Sequence, residues 1–144
     1  METNKQISWV FDVDGVLCNP NQPIDKNFKK WFLSWSKNLN LYLITGGERE
    51  KTIKQLGIEV VERSKIVFNC MGNSIWDNGK HLLINQFTLT EEEIQWFNAE
   101  VNNSKFSSKT GKHIEMRPGS FNFSIVGRNA NTMQRTSYKI WEPN

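Results

Sequence analysis

Short apolar runs alternate with a helix-like spacing of apolar residues along the first half of the chain. Three such runs, each bounded by polar or turn residues, are typical of buried strands: Ile7–Phe11, Leu41–Ile44 and Ile66–Phe68. Between the first two runs, four aromatic residues recur at helical spacing: Phe28, Trp31, Phe32 and Trp35. We expect all four to lie in the core, on one side of a helix. A second helix is predicted over Glu48–Leu56, ended by Gly57, and this alternation predicts a parallel sheet with crossover helices.

In the second half of the chain, turn and capping residues predict hairpins and a helix. The pair Asn78-Gly79 is typical of a tight hairpin turn, and Thr90 with Glu93 forms a capping box that begins a helix. A further hairpin is expected from the arms His113–Arg117 and Ser120–Ile125. This half of the chain is therefore predicted to contain an antiparallel sheet covered by a helix.

The pair Pro118-Gly119 joins the two arms of that hairpin and sets which side chains share a face. It occupies the positions favoured in a type II turn, so Met116 should face Phe121 and Ile114 should face Phe123. The opposite face then carries only polar side chains: His113, Glu115, Arg117, Ser120, Asn122 and Ser124. A sheet with one apolar and one polar face can act as a lid over a phosphate-bearing substrate.

Composition and charge exclude several classes of partner. The 18 Lys and Arg and the 15 Asp and Glu residues are interspersed, and the net charge is +3, so neither a nucleic-acid surface nor an anionic membrane is indicated. No apolar run is long enough to span a membrane, and the polar start Met1-Glu2-Thr3 does not resemble a signal peptide. We expect a cytoplasmic protein in which Cys18 and Cys70 are reduced thiols.

Two carboxylates, Asp12 and Asp14, follow the first predicted strand and precede the turn at Gly15. One carboxylate at a strand end can attack phosphorus, while its neighbour protonates the leaving oxygen and later activates the second nucleophile. These residues resemble the first motif of the haloacid dehalogenase superfamily of phosphotransferases. The resemblance implies that Asp12 is phosphorylated, that Asp14 is the acid/base, and that both contribute to a Mg²⁺ site. Thr45, which ends the second predicted strand, lies where the second motif of that superfamily places a phosphoryl-binding hydroxyl.

A more specific resemblance lies in residues 113–129, which are similar to the cap signature of the eukaryotic-type phosphomannomutases. That signature consists of an Ile-Glu-x-Arg strand, a turn, an Asn-x-Ser strand and a Gly-Arg pair, in that order. The resemblance implies a hexose phosphate as substrate and the interconversion of mannose 6-phosphate and mannose 1-phosphate. The residues that it implies for substrate binding are Arg117, Asn122, Ser124, Arg128 and Arg135. Guanidinium groups suit this role because their planar forks bind phosphate bidentately.

The resemblance extends from the first strand to Arg135 and implies an α/β fold in two parts. Residues 1–80 would form the N-terminal part of a haloacid dehalogenase-like, Rossmannoid core with a parallel sheet, and residues 81–144 part of an α/β cap built on an antiparallel sheet. Family members continue further, supplying a basic motif III and an acidic motif IV. We therefore expect this chain to be an N-terminal part with an open first-strand edge, which forms a homodimer or associates with a complementing C-terminal segment.

Two other functions remain open on the sequence. The family has threonine at the positions of Val16 and Cys18, and a phosphate-binding arginine at that of Asn21. Loss of this arginine could favour water over a sugar hydroxyl, which would make the protein a sugar-phosphate phosphatase. The missing motifs III and IV favour a third possibility, a non-catalytic module for sugar-phosphate binding or dimerisation.

Overall fold

A five-stranded mixed sheet organises the first of two units in the chain. The computed structural model describes residues 7–142, and the two units are divided between Asn85 and Gln86. The strands follow one another in the sheet in chain order: β1 (Ser8–Asp12), β2 (Asn40–Ile44), β3 (Ile66–Asn69), β4 (Ser74–Asp77) and β5 (Lys80–Ile84). The first three are parallel to one another, whereas β4 and β5 are antiparallel to their neighbours. The predicted parallel strands and the Asn78-Gly79 hairpin are thus confirmed.

Three helices connect the parallel strands: α1 (Lys26–Trp35), α2 (Arg49–Leu56) and α3 (Ile58–Arg63). The Asp25 carboxylate caps α1 by accepting hydrogen bonds from the N–H groups of Asn27 and Phe28, each at 2.9 Å. Between these helices and the sheet lies the core of this unit, whose fully buried apolar side chains include Val13, Phe32, Leu41, Leu43, Leu56 and Val60. Because Val13 and Leu17 belong to this core, the turn that follows β1 is anchored in it.

Two of the four aromatic side chains of α1 lie at the surface, which corrects the expectation that all four lie in the core. Phe32 is 1% exposed, but Trp31 is 56% exposed and Trp35 also lies at the surface. The tryptophans stack on each other at 5.8 Å between ring centroids, and Trp35 packs edge-on against Trp9 of β1. Helical spacing identifies the residues that share one side of a helix. In this protein the sheet covers only part of that side, so the two tryptophans stay at the surface.

β1 lies at one edge of this sheet. Within residues 7–142 it pairs with β2 alone, and the side chain of Val10 in this strand is 59% exposed. Unpaired backbone groups flanked by exposed apolar side chains readily pair with another chain. The expected open edge of the first strand is therefore present in the described residues.

We expect the chain to self-associate through this edge, and Val10→Lys to weaken the association about tenfold or more, because a charged side chain on an edge strand disfavours strand pairing. Sedimentation velocity over a concentration series measures the dissociation constant. Ile140→Lys is the matched control, because this residue is also exposed but lies in a helix of the second unit. Equal dissociation constants for wild type and Val10→Lys would contradict the prediction.

The second unit contains a two-stranded antiparallel sheet and two helices: α4 (Glu91–Asn103), β6 (Ile114–Arg117), β7 (Ser120–Phe123) and α5 (Thr132–Trp141). The predicted capping box at Thr90 begins α4. The predicted register is also confirmed, with Ile114 opposite Phe123 and Met116 opposite Phe121. Phe97 of α4 packs on the apolar face, 5.0 Å from Phe121 between ring centroids. None of the helices within residues 7–142 is long and apolar enough to cross a membrane.

Candidate functional site

Asp12 and Thr45 lie side by side because their strands are parallel and in register. Asp12, the last residue of β1, is the partner of Ile44, the last residue of β2, so Thr45 follows at the same edge of the sheet. A cavity of about 340 Å³ opens at this edge, and its lining residues are Asp12, Asp14, Ile44, Thr45, Gly46 and Met71. The three residues predicted for catalysis therefore line one cavity.

The Asp12 carboxylate is exposed and held by the backbone. One of its oxygens accepts a hydrogen bond from the Val13 N–H at 2.7 Å. The turn that follows is closed by N–H groups of Leu17 and Cys18, which both donate to the Val13 carbonyl, at 3.1 and 3.2 Å. A carboxylate that is exposed to solvent yet fixed by a buried turn has the accessibility and orientation that a nucleophile requires.

Asp14 is held by three donors. Lys51 Nζ lies 2.7 Å from Oδ2, Gln55 Nε2 donates to Oδ1 at 2.7 Å, and the Asn21 N–H donates to Oδ1 at 3.1 Å. Partial burial would raise the pKa of Asp14, but the hydrogen bonds from Lys51, Gln55 and Asn21, together with the charge of Lys51, lower this pKa below its usual value. The arrangement therefore favours the ionised form, which accepts a proton.

Lys51 and Gln55 are site residues that sequence reasoning missed. They lie 37 and 41 residues from Asp14 in the chain, and α2 brings them to it. The available signal was their spacing of four, which places two polar side chains on the same side of the helix that follows Thr45.

The loop after β3 completes the cavity with a strained backbone. Cys70 and Met71 have φ values of 49° and 56°, in the left-handed region that residues other than glycine seldom adopt. Their N–H groups donate to the carbonyls of Gly47 and Thr45, at 3.1 and 3.0 Å. These bonds hold the strained loop against the segment that carries Thr45, and such strain is typical of functional sites.

The carboxylate oxygens at the ends of these strands are suitable ligands for a hard cation, but they differ in how far they are already engaged. Asp12 offers carboxylate oxygens, which Mg²⁺ prefers, whereas both oxygens of Asp14 already accept hydrogen bonds. No group of three or more His, Cys, Asp or Glu placed to hold a metal occurs within residues 7–142. Of the two predicted metal ligands, Asp12 is thus the more exposed and carries fewer of the hydrogen bonds described here.

In the second unit, three donors converge on one carboxylate oxygen. Glu115 Oε2 lies 3.1 Å from Arg117 Nη2, 3.0 Å from Arg128 Nη2 and 3.1 Å from Asn122 Nδ2. Three of the five residues predicted for substrate binding are therefore brought together around Glu115. Glu115, predicted on the polar face of the hairpin with no role of its own, thus orients both guanidinium groups.

A close backbone contact fixes the position of Arg128. Gly127 has φ +85°, and a Cβ on it would lie 1.7 Å from the carbonyl oxygen of Thr110. The Arg128 N–H donates to the Lys112 carbonyl at 2.8 Å. Only glycine allows the chain to pass so close to Thr110, and the Arg128 side chain can thereby reach the sheet.

Glu115 and its three partners, Arg117, Asn122 and Arg128, are called the Glu115 cluster below. The hydrogen bonds described for Arg135 and Ser124 are made to groups other than the Glu115 carboxylate. Arg135 donates through Nε to the Ala130 carbonyl and through Nη2 to the Arg128 carbonyl, both at 3.0 Å. The Ser124 N–H donates to the His113 carbonyl at 2.9 Å, and His113 Nδ1 lies 2.8 Å from the Ser124 carbonyl oxygen. In the described geometry Arg135 supports the loop that carries Arg128.

The Glu115 cluster should make the stability of the second unit depend on pH. The Asn122 hydrogen bond, with the charges of Arg128 and Arg117, lowers the pKa of Glu115 from its ordinary value of 4.5, against the effect of burial. A carboxyl group with a lowered folded-state pKa stabilises the fold above its unfolded pKa, and this stabilisation is lost as the pH falls through the folded value. We expect Glu115→Gln to lower Tm at about pH 6, and the difference from wild type to shrink towards about pH 3. A difference in Tm that stays constant across this range would contradict the prediction.

Together, the parallel strands and the carboxylate pair at their ends define an α/β protein with a polar, strand-end site. The family model described as eukaryotic phosphomannomutase matches residues 28–144, and the chain belongs to this family. The matched range includes Thr45 and the second-unit arginines, and it begins after Asp12 and Asp14.

Several curated relatives are also named phosphomannomutase. The chain is 27% identical to phosphomannomutase 2 of Dictyostelium discoideum over 99% of this chain and 59% of that protein. It is 24% identical to the phosphomannomutase of Saccharomyces cerevisiae, over 92% of this chain and 55% of that protein. For phosphomannomutase 1 of Mus musculus the identity is 27%, over 93% of this chain and 54% of that protein. The chain thus spans somewhat more than half the length of these relatives.

Proposed function

We propose that the protein is a cytoplasmic phosphomannomutase-like phosphotransferase, which interconverts mannose 6-phosphate and mannose 1-phosphate through a phosphorylated Asp12. The observation that carries this proposal is the shared cavity of Asp12, Asp14 and Thr45 at the ends of two parallel strands. A nucleophile, a proton carrier and a phosphoryl-binding hydroxyl are the groups that this reaction needs.

Asp12 is first phosphorylated by a sugar phosphate, whose ester bond to the sugar oxygen breaks. In the first transfer, the free hydroxyl of mannose 1-phosphate gives its proton to Asp14 and attacks the phosphorylated Asp12, which regenerates the carboxylate and produces a sugar with two phosphates. In the second transfer, Asp12 attacks the other phosphate of the reoriented sugar and Asp14 returns the proton to the oxygen that leaves, so mannose 6-phosphate is released and Asp12 is phosphorylated again. The Thr45 oxygen already accepts the Gly47 N–H at 3.1 Å, so its own proton can be donated to a phosphoryl oxygen. Mg²⁺, held in part by Asp12, would neutralise charge on the transferred group.

The second unit is proposed to bind the phosphate that does not react. Arg117 and Arg128 carry guanidinium groups held in place by Glu115, and Asn122 adds an amide donor. A phosphate can compete with a single carboxylate for these donors because it offers more acceptor oxygens and more negative charge. Arg135 and Ser124 are proposed to contribute from the adjacent segments.

We test the proposal by phosphorus NMR of mannose 1-phosphate incubated with the chain and Mg²⁺. The appearance of mannose 6-phosphate indicates the mutase, and the appearance of inorganic phosphate indicates the sugar-phosphate phosphatase. The same assay is repeated after addition of the part of the Dictyostelium relative that this chain does not cover. We expect little turnover by the chain alone and recovery in the mixture. A rate of about 1 per second or more without the added segment would contradict the need for complementation.

A second candidate is a sugar-phosphate-binding module without turnover. The specific observation that favours it is the engagement of both Asp14 oxygens by Lys51 and Gln55, since a stable ion pair opposes protonation of this carboxylate. Hexose-phosphate binding with no reaction, in the presence of Mg²⁺ and the complementing segment, would favour this candidate over both enzymes.

A further inference from the structure

A second cavity lies next to the Asp12 cavity and has no part in the reaction proposed above. Its volume is about 300 Å³, and its lining residues are Asn21, Pro23, Lys51, Lys54 and Gln55. None of the lining side chains is acidic, and two are lysines. The volume is near the lower bound of about 300 Å³ for small-molecule sites, and it accommodates a phosphate group or a phosphorylated sugar.

The two cavities are connected through hydrogen bonds to Asp14. Lys51 and Gln55 line the second cavity and bond to the carboxylate of Asp14, which lines the first. The N–H of Asn21, a third lining residue of the second cavity, also donates to this carboxylate. A ligand in the second cavity would therefore lie beside the proposed proton carrier.

The charge of this second cavity is only partly compensated. Lys51 is paired with Asp14, whereas no described residue forms an ion pair with Lys54. Lys51 and Lys54 are three residues apart on α2 and thus lie on the same side of the helix, where like charges repel each other. An anion between them would relieve this repulsion and accept hydrogen bonds from both ammonium groups.

We propose that Lys54 and Lys51 form an anion subsite in the second cavity, which binds a phosphate group of a phosphorylated sugar next to Asp14. Lys54 supplies the uncompensated charge, and Lys51 divides its hydrogen bonds between Asp14 and the anion. The identification of the anion as a sugar phosphate rests on the proposed function, whereas the binding of a phosphate group rests on the lining residues alone. The subsite adds Lys54 to the binding residues of the first unit.

The experiment measures binding of inorganic phosphate and of mannose 6-phosphate to the chain by calorimetry, together with the amide NMR signals of Asn21 and Lys54. We expect both ligands to shift these signals and Lys54→Met to weaken phosphate binding about fivefold or more. Lys54→Arg should bind within about twofold of wild type, because it keeps the charge. Lys30→Met is the matched control, since Lys30 is also exposed but lies on α1, outside the second cavity.

Two results would overturn the subsite: phosphate affinities for Lys54→Met equal to those of wild type, or unshifted signals of Asn21 and Lys54 in the wild-type chain. An equal loss in Lys30→Met would also overturn it, because it would indicate an effect of total charge. If inorganic phosphate binds and depends on Lys54 while mannose phosphates do not bind, the subsite stands as a phosphate site and the proposed function fails. If mannose 6-phosphate binds to Lys54→Met with the wild-type affinity and still shifts the Asn21 signal, the subsite fails and the proposed function stands.

Discussion

Replacing Asp12 by asparagine should lower the rate at which the protein is phosphorylated by about 10³-fold or more. A loss of this size is usual when a nucleophile is removed. The amide has the shape of the carboxylate but lacks the negative charge that the proposed nucleophile requires. The side chain is exposed, so the variant should fold like the wild type. The measurement is mass spectrometry of the protein after incubation with mannose 1-phosphate and the complementing segment. A beryllofluoride adduct of Asp12, detected by fluorine NMR, gives a second readout that requires no turnover.

Asp77→Asn is the matched control for this experiment. Asp77 is also an exposed aspartate at the end of a strand, β4, but it lies outside the Asp12 cavity. We expect Asp77→Asn to be phosphorylated, and to bind beryllofluoride, to the same extent as the wild type. Labelling of Asp12→Asn at that level would show that the nucleophile is a different residue.

Replacing Arg117 or Arg128 by alanine should weaken hexose-phosphate binding by about 1.5–3 kcal/mol, roughly 10- to 160-fold in Kd, because a hydrogen bond to a charged group is lost. Binding of unphosphorylated mannose should barely change. Calorimetry measures both ligands on each variant. We expect a similar loss for Arg135→Ala, together with a lower Tm, because this side chain also supports the loop of Arg128.

Lys105→Ala controls for the removal of one positive charge from the second unit, since Lys105 is exposed and lies outside the Glu115 cluster. It should leave both affinities unchanged. An equal loss of affinity for mannose and for mannose 6-phosphate in Arg117→Ala would show general damage to the second unit and would contradict a role in phosphate binding.

Features set by neighbours in the sequence were predicted well. The turn at Pro118-Gly119 has only two residues, which fixes the pairing of Ile114 with Phe123, and the capping box at Thr90 depends on a residue three positions away. The proximity of Asp12 and Thr45 was also predictable, because parallel strands bring their carboxyl ends to one edge.

Features that depend on distant parts of the chain were not predicted. The bonds from Lys51 and Gln55 to Asp14 join residues about forty positions apart, and they depend on how α2 packs against the turn after β1. The exposure of Trp31 was missed because periodicity shows which residues share a side of a helix, and does not show what covers that side. The convergence of two arginines on Glu115 required the position of Gly127, which the sequence gives no reason to place against Thr110.

The contact between Gly127 and Thr110 also has an evolutionary consequence. A methyl group at position 127 would overlap the Thr110 carbonyl oxygen, and neither backbone can move without breaking the hydrogen bonds between residues 110–112 and 126–128. When a library of all single substitutions is selected for folded protein, we expect every replacement of Gly127 to be depleted. Position 105, which is exposed, should accept most residues. Any tolerated replacement of Gly127 should therefore be accompanied by a change in residues 110–112, which lie against it.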